Sequence, residues 1–198
     1  MISSSIKPAV TKVINPVAKL ALRIGLTPNA VTAAGAAGSL ASALYFLPQG
    51  RLFGGVIAIS LFTLSDLFDG AMARISEKGA SKWGAFLDST LDRVVDASIL
   101  LGVTLFLIDK NDRLAPAVLL ALVTGFLISY IRAKAEALSI ECTIGIAERT
   151  ERLVILLTAI GLEGLGLRYS LAVGIWALVM LGSITVIQRL LVVKRAVK

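Results

Sequence analysis

Six apolar segments, each long enough to cross a lipid bilayer, follow one another along this chain of 198 residues. A membrane-spanning helix needs about 17–25 apolar residues, because its backbone polar groups must be satisfied within the helix. The hydrophobic content of 57% and the mean hydropathy of +0.86 exceed those of soluble domains. We therefore predict an all-α integral membrane protein, with a single domain over residues 1–198 and a bundle over 29–192. Its six transmembrane helices are expected at 29–48, 52–73, 83–108, 114–134, 146–162 and 170–192.

Residues 8–25 precede the bundle and have the pattern of an amphipathic helix. Val17 and Leu20 keep the helical spacing of the apolar residues, whereas Lys19 lies on another face. Two interpretations fit this pattern: a helix lying in the membrane surface and an ordinary helix packed on the bundle. We expect an amphipathic surface helix with a kink at Pro16.

The 20 Lys and Arg residues are distributed unevenly between the two ends of the predicted helices. One set of ends carries only Arg51, Lys110, Arg113 and Arg168, and all the others except Arg93 lie on the opposite side. Basic residues are enriched on the cytoplasmic side of membrane proteins. This bias predicts a multi-pass protein of the cell membrane with both termini in the cytoplasm. Since the bias also accounts for the net charge of +7, we expect no nucleic-acid partner.

Four acidic residues interrupt the second and third apolar segments: Asp66, Asp69, Asp88 and Asp92. An acid at the centre of a membrane helix costs about 2.5–3.5 kcal/mol on insertion scales, so it marks a functional site. Residues three or four apart share a helix face, which places Gly70 with the first two acids and Gly84 with the last two. Clustered carboxylates suit a hard cation such as Mg²⁺. Because the chain has no histidine, a carboxylate is also the natural general base.

This stretch resembles the signature of the CDP-alcohol phosphotransferase family, which is D-x2-D-G-x2-A-R, a spacer, and then G-x3-D-x3-D. The matching residues are Asp66, Asp69, Gly70, Ala73, Arg74, Gly84, Asp88 and Asp92. The resemblance implies an enzyme that transfers the phosphatidyl group of CDP-diacylglycerol to an alcohol and releases CMP. It also implies a homodimer in the membrane lipid, with an active site that faces the cytoplasm.

The resemblance further implies roles for individual residues. Four acids would hold two Mg²⁺ ions, with Mn²⁺ as an alternative: Asp66, Asp69, Asp88 and Asp92. Asp92 would also be the catalytic base. The CDP-lipid would be bound by Asn29, Thr32, Gly70, Arg74 and Ser81. The stretch that begins the first apolar segment and contains Asn29 and Thr32 also has a second interpretation. Thr27 and Pro28, just before these residues, are typical of a helix N-terminus.

A second set of basic residues lies at the cytoplasmic ends of the last three segments: Arg132, Lys134, Arg149, Arg152 and Arg189. The charge bias explains some of them, but together they can also form a pocket for a phosphorylated acceptor. Motifs such as Y-I-R-A-K-A-E-A-L resemble most the actinobacterial family members whose acceptor is an inositol phosphate. The product would then be phosphatidylinositol phosphate, and the alternative acceptor is glycerol 3-phosphate.

Two further alternatives remain open at the level of sequence. The acids could form the ion path of an ion-coupled transporter, which would move a solute and release no CMP. Asp96, one helical turn beyond Asp92, fits either a structural partner, such as one for Arg93, or a functional residue.

Overall fold

The computed structural model describes residues 14–76 and 81–197, and all regular secondary structure in these ranges is helical. Residues 14–23 form helix α1. The remaining helices are α2 (Pro28–Phe46), α3 (Leu52–Thr63), α4 (Ser65–Ile75), α5 (Lys82–Asp109), α6 (Ala115–Ala137), α7 (Arg149–Gly164) and α8 (Ser170–Ala196). The predicted all-α class is therefore confirmed for the described residues.

Three stretches in the described residues are long and apolar enough to span a membrane: Leu52–Ile75, which covers α3 and α4, Ala115–Ala137, and Ser170–Ala196. The other three predicted segments are helical but less apolar or shorter. Helix α2 is rich in Ala, Gly and Ser, α5 carries charges through its first half, and α7 has only 16 residues. Many large apolar side chains point outwards, for example Val173, which is 68% exposed, and Met180, which is 64% exposed. The chain is therefore a membrane protein.

The chain divides into two compact units. The first comprises Met1–Ala43 and Ile57–Val95, and the second comprises Leu44–Val56 and Asp96–Lys198. Each is described by itself below. The single domain predicted from the sequence stays a prediction.

In the first unit, α1 packs one of its faces against α4. Ile14 and Ala18 form a buried apolar cluster with Ala71 and Met72. On another face of α1, Leu20 is 59% exposed, so the helix has both a packed and an outward apolar face. Residues 8–13 of the predicted amphipathic helix lie outside the described residues, and its position on the membrane surface stays a prediction.

Helix α2 approaches the junction of α3 and α4 very closely, because glycines face that junction. A Cβ atom added at Gly35 would overlap the side chain of Ser65 and lie 3.0 Å from the carbonyl oxygen of Phe62, and one added at Gly38 would overlap the Phe62 ring. Small residues are what allow helices in membranes to approach so closely. Gly35 and Gly38 therefore permit the close approach of α2 to this junction.

Replacing Gly35 by alanine should lower the stability of the protein by about 1–3 kcal/mol, because the added methyl group overpacks this contact. The matched control is Gly54→Ala in α3, where an added Cβ meets nothing within 4 Å. Both variants gain the same helix propensity, so the difference between their stabilities measures the steric cost of the methyl group added at Gly35. The measurement is the apparent unfolding temperature in one detergent. Equal unfolding temperatures for the two variants would contradict the close approach.

In the second unit, α8 packs against both α6 and α7. Gly182 of α8 lies against Thr124 of α6, where an added Cβ would come within 2.8 Å of the Thr124 hydroxyl. At the start of α8, Glu163 accepts hydrogen bonds from the Leu171 N–H at 3.1 Å and the Ser170 hydroxyl at 3.2 Å. This carboxylate satisfies donors at the N-terminus of α8, where the helix dipole also favours a negative charge.

Candidate active site

The signature residues all lie in the first unit, on α4 and the first half of α5. Asp66 lies in the first turn of α4, Asp69 is buried in its middle, and Arg74 lies in its last turn, where it is exposed. Gly84, Asp88 and Asp92 follow each other at one-turn intervals along α5. The helical spacing predicted for the two halves of the signature is therefore confirmed.

Asp69 is the most deeply placed of the four acids, with 8% of its surface exposed. The hydroxyl of Thr32 on α2 donates a hydrogen bond to Asp69 Oδ2 at 2.5 Å. Asp66 and Asp88 are near enough for their negative charges to repel that of Asp69. The Thr32 hydroxyl and the Gly70 main chain therefore act as neutral partners of this carboxylate, and two acids repel it.

The donor set fits a divalent cation in its chemistry. The acids offer only oxygen, which is the ligand atom that Mg²⁺ and Mn²⁺ prefer in proteins. Within residues 14–76 and 81–197, no three acidic, Cys or His side chains already converge closely enough to hold a metal ion.

Asp92 has an arginine beside it. Arg93 Nη2 lies 3.6 Å from Asp92 Oδ2, and the two side chains are 25% and 16% exposed. At this distance the contact is an ion pair rather than a direct hydrogen bond. The sequence also suggested Arg93 as a partner of Asp96, and that pairing stays a prediction.

The N-terminal turns of α2 and α5 hold the predicted contacts to the donor nucleotide. Ser81 caps α5, since its hydroxyl accepts a hydrogen bond from the Gly84 N–H at 2.9 Å. Asn29 Oδ1 would lie 2.9 Å from a Cβ added at Gly84, so the glycine leaves room for Asn29. Thr27 caps α2 through a 3.2 Å bond from the Ala30 N–H, which confirms the capping interpretation of this turn.

Gly70 and Arg74 are one turn apart on α4. A Cβ added at Gly70 would lie 3.6 Å from Arg74 Nη1, so the arginine side chain folds back over the glycine. This leaves the planar guanidinium, whose donors form a fixed fork suited to phosphate, on the exposed side of α4.

The second unit brings two of the five predicted acceptor residues together. Arg149 Nε lies 3.4 Å from Asp96 Oδ1, and Arg152 Nη2 lies 3.7 Å from Asp96 Oδ2. The two arginines are one turn apart on α7, and both are more than three-quarters buried. Asp96 therefore bridges two guanidinium groups.

The other three predicted acceptor residues have different environments. Arg132 is exposed and pairs with Glu136 on its own helix at 2.9 Å, and Lys134 is exposed in the last turn of α6. Arg189 is 2% exposed, and it donates to the main-chain oxygens of Ile144 at 2.9 Å and of Ile128 at 2.6 Å. The structure thus uses two donors of Arg189 within the fold, and its role toward an acceptor stays a prediction.

The connection between α6 and α7 is tied down at its end. The Ala147 N–H donates to the Thr185 hydroxyl at 3.1 Å, and Arg152 Nη1 donates to the Ala147 oxygen at 3.0 Å. Together with Arg189, these bonds fix the chain that leads into Arg149. Thr185 was not predicted from the sequence, since nothing in its local pattern indicates a partner 38 residues away.

This chain is similar to known proteins in both its sequence and its structure. A family model described as CDP-alcohol phosphatidyltransferase matches residues 25–187. The phosphatidylinositol phosphate synthase of Mycolicibacterium smegmatis is 43% identical over 189 residues, which cover 92% of this chain and 84% of that protein.

Two solved structures of the Mycobacterium tuberculosis phosphatidylinositol phosphate synthase, each 41% identical to this chain, are similar to it. The structure with CDP-DAG bound has a TM-score of 0.88 and covers 92% of this chain and 94% of its own. The structure in complex with manganese and citrate has a TM-score of 0.85, with 91% and 88% covered.

Proposed function

Because this chain belongs to the CDP-alcohol phosphatidyltransferase family, we propose that it transfers the phosphatidyl group of CDP-diacylglycerol to the hydroxyl of an inositol phosphate. The products are phosphatidylinositol phosphate and CMP, so the protein is a metal-dependent phosphatidylinositol phosphate synthase. The single observation that carries the proposal is the complete eight-residue signature, placed on α4 and α5 of one compact unit. The relatives named phosphatidylinositol phosphate synthase support the choice of acceptor.

Asp92 acts as the general base in this reaction. It takes the proton of the acceptor hydroxyl as that oxygen bonds to the phosphorus next to the diacylglycerol. The bond between this phosphorus and the bridging oxygen breaks, and CMP leaves with that oxygen. A positioned carboxylate is suited to this proton transfer, and Arg93 Nη2 lies 3.6 Å from Asp92 Oδ2.

The divalent cations are proposed to be two Mg²⁺ ions, with Mn²⁺ able to replace them. Asp66, Asp69, Asp88 and Asp92 are the proposed ligands. When bound, such a pair offsets the charge of the diphosphate and orients the attacking and leaving oxygens. The manganese complex of the M. tuberculosis enzyme supports a divalent metal in the family.

The donor head group is proposed to bind at the N-terminal turns of α2 and α5 and beside α4. Asn29 and Ser81 both lie beside Gly84, in a place where two helix N-termini favour an anion. Arg74 binds the diphosphate over Gly70. Thr32 was predicted as another contact of the donor.

The acceptor phosphate is proposed to bind to the basic set in the second unit, with Arg149 and Arg152 as its principal contacts. Arg132, Lys134 and Arg189 are the remaining proposed members. A phosphate monoester carries nearly two negative charges, and arginine pairs bind it through charge-assisted hydrogen bonds. A free alcohol such as inositol needs no such set.

In the membrane we propose six spans in one domain, with both termini and the active site on the cytoplasmic side of the cell membrane. The charge bias supports this orientation. The outward apolar face of α1 supports a helix that lies in the lipid surface. We also propose a homodimer, and crosslinking in native membranes that yields only monomer would exclude it.

The experiment that tests this function is CMP release from CDP-diacylglycerol with Mg²⁺, in separate reactions with inositol phosphate, glycerol 3-phosphate and free inositol. Turnover with inositol phosphate alone is expected. Turnover only with glycerol 3-phosphate would instead identify a phosphatidylglycerophosphate synthase. No CMP release with any of the acceptors, together with ion-coupled flux of a solute into sealed vesicles, would instead indicate an ion-coupled transporter.

A further inference from the structure

We propose that Thr32 is a positioning residue for Asp69, and that its hydroxyl orients this carboxylate for the divalent cation instead of contacting the donor nucleotide. The inference rests on the proposed function, because it concerns a ligand of the proposed metal site. It changes the role that the family resemblance implied for Thr32.

The geometry of the hydrogen bond carries the first step. The Thr32 hydroxyl lies 2.5 Å from Asp69 Oδ2 and 3.0 Å from the carbonyl oxygen of Pro28 on its own helix. A hydroxyl has one proton to donate, and a charged acceptor forms the shorter and stronger bond. The proton of Thr32 is therefore committed to Asp69, and both residues are only 8% exposed.

The second argument for the positioning role is that Thr32 is uncharged. Asp66 and Asp88 lie near Asp69 and carry the same kind of charge. A lysine or arginine at this position would offset the negative charge and compete with a cation. A hydroxyl holds one carboxylate oxygen in place and leaves the charge, so the attraction for a divalent cation is retained.

The third argument for the positioning role is the close packing of α2. Threonine is short, and its hydroxyl reaches Asp69 only if α2 lies very close to α4. Gly35, one turn after Thr32, provides this approach because it has no side chain to collide with Ser65 beside Asp66. The glycine and the threonine on α2 thus serve the same contact.

The test is a titration of the purified full-length protein with Mn²⁺ alone, in which free Mn²⁺ is measured by electron paramagnetic resonance. Thr32→Val keeps the shape and removes the hydroxyl, and Thr32→Ser restores it. We expect Thr32→Val to weaken Mn²⁺ binding by about 10- to 100-fold, as is usual for the loss of a hydrogen bond to a metal ligand. Thr32→Ser should bind within about threefold of the unsubstituted protein, since its hydroxyl can make the same bond.

Thr104→Val is the matched control, because Thr104 is also buried in a helix and donates only to the Leu100 carbonyl oxygen at 2.8 Å among the described contacts. It should leave Mn²⁺ affinity unchanged. If Thr32→Val does not fold, Thr32→Ala replaces it, with the unfolding temperature of each variant as the check.

Different results would contradict the positioning role of Thr32 and the proposed function of the protein. Unchanged Mn²⁺ affinity in Thr32→Val, with a raised KM for CDP-diacylglycerol only, would overturn the positioning role and return Thr32 to the nucleotide. Failure of the unsubstituted protein to bind Mn²⁺ would overturn the proposed metal site itself. In turnover assays the positioning role predicts a raised KM for Mg²⁺ with an unchanged KM for the CDP-lipid.

Discussion

Replacing Asp92 by asparagine will lower the rate of CMP release by about 10³-fold, while the protein keeps its fold. Asparagine has nearly the same shape, but its amide cannot take the proton of the acceptor hydroxyl. The chain has no histidine that could replace the carboxylate as a base. The rate is measured with saturating CDP-diacylglycerol, Mg²⁺ and inositol phosphate, so that the loss is assigned to the chemical step.

The control for this substitution is Asp109→Asn, the same chemical change on the same helix at an exposed position. It should keep full activity. Asp92→Asn should unfold within a few degrees of the unsubstituted protein. A variant with near-normal turnover would exclude Asp92 as the base, and the acceptor proton would then have to go to another group.

Replacing Arg149 by glutamine will raise the KM for inositol phosphate by about 10- to 100-fold, because a charge-assisted hydrogen bond is worth about 1.5–3 kcal/mol. Arg149 is preferred to Arg152 for this test, because Arg152 also holds the Ala147 carbonyl oxygen. The KM for CDP-diacylglycerol should not change. The measurement is a full set of initial rates in both substrates.

Arg168→Gln is the matched control for the arginine substitution. Arg168 lies in the connection before α8 and stacks on Tyr169, with 4.8 Å from its guanidinium carbon to the ring centre. It should leave both KM values unchanged. An Arg149→Gln enzyme that discriminates inositol phosphate from free inositol as well as the unsubstituted enzyme does would remove Arg149 from the acceptor site.

Asp96 now has a defined environment, which the sequence left open between two interpretations. Its carboxylate lies between Arg149 and Arg152, so it offsets the repulsion between two largely buried cations at the start of α7. Such a bridge would keep both arginines in place for the proposed acceptor phosphate. A structural partner and a functional residue are therefore not exclusive descriptions of Asp96.

Local patterns in the sequence predicted the local structure well. The spacing of the four acids put them on helices, and the residue types at Thr27 and Pro28 predicted the cap that begins α2. The ends predicted for the third and fifth segments, at 108 and 162, lie within two residues of the observed ends of α5 and α7. In each case the information lies within a few residues, which is the range over which helical periodicity and capping act.

Contacts between distant residues were not predictable in the same way. The bond between Thr32 and Asp69 joins positions 37 apart, and Arg189 reaches Ile128 across 61 positions. The interruption of the second segment at Leu64, between α3 and α4, was also not predicted, because one continuous helix was expected over 52–73. Whether Arg189 binds a phosphate or stabilises a loop depends on such contacts, and charge alone does not distinguish the two.

The most direct test of the proposed reaction is a competition between acceptors. The purified protein is given CDP-diacylglycerol, Mg²⁺ and equal concentrations of inositol phosphate and glycerol 3-phosphate, and the lipid product is identified by mass spectrometry, with Asp92→Asn as the background. We expect phosphatidylinositol phosphate, formed in a one-to-one ratio with CMP, and little phosphatidylglycerophosphate. A product that is mainly phosphatidylglycerophosphate would contradict the acceptor that we propose, while the shared chemistry of the family would stand.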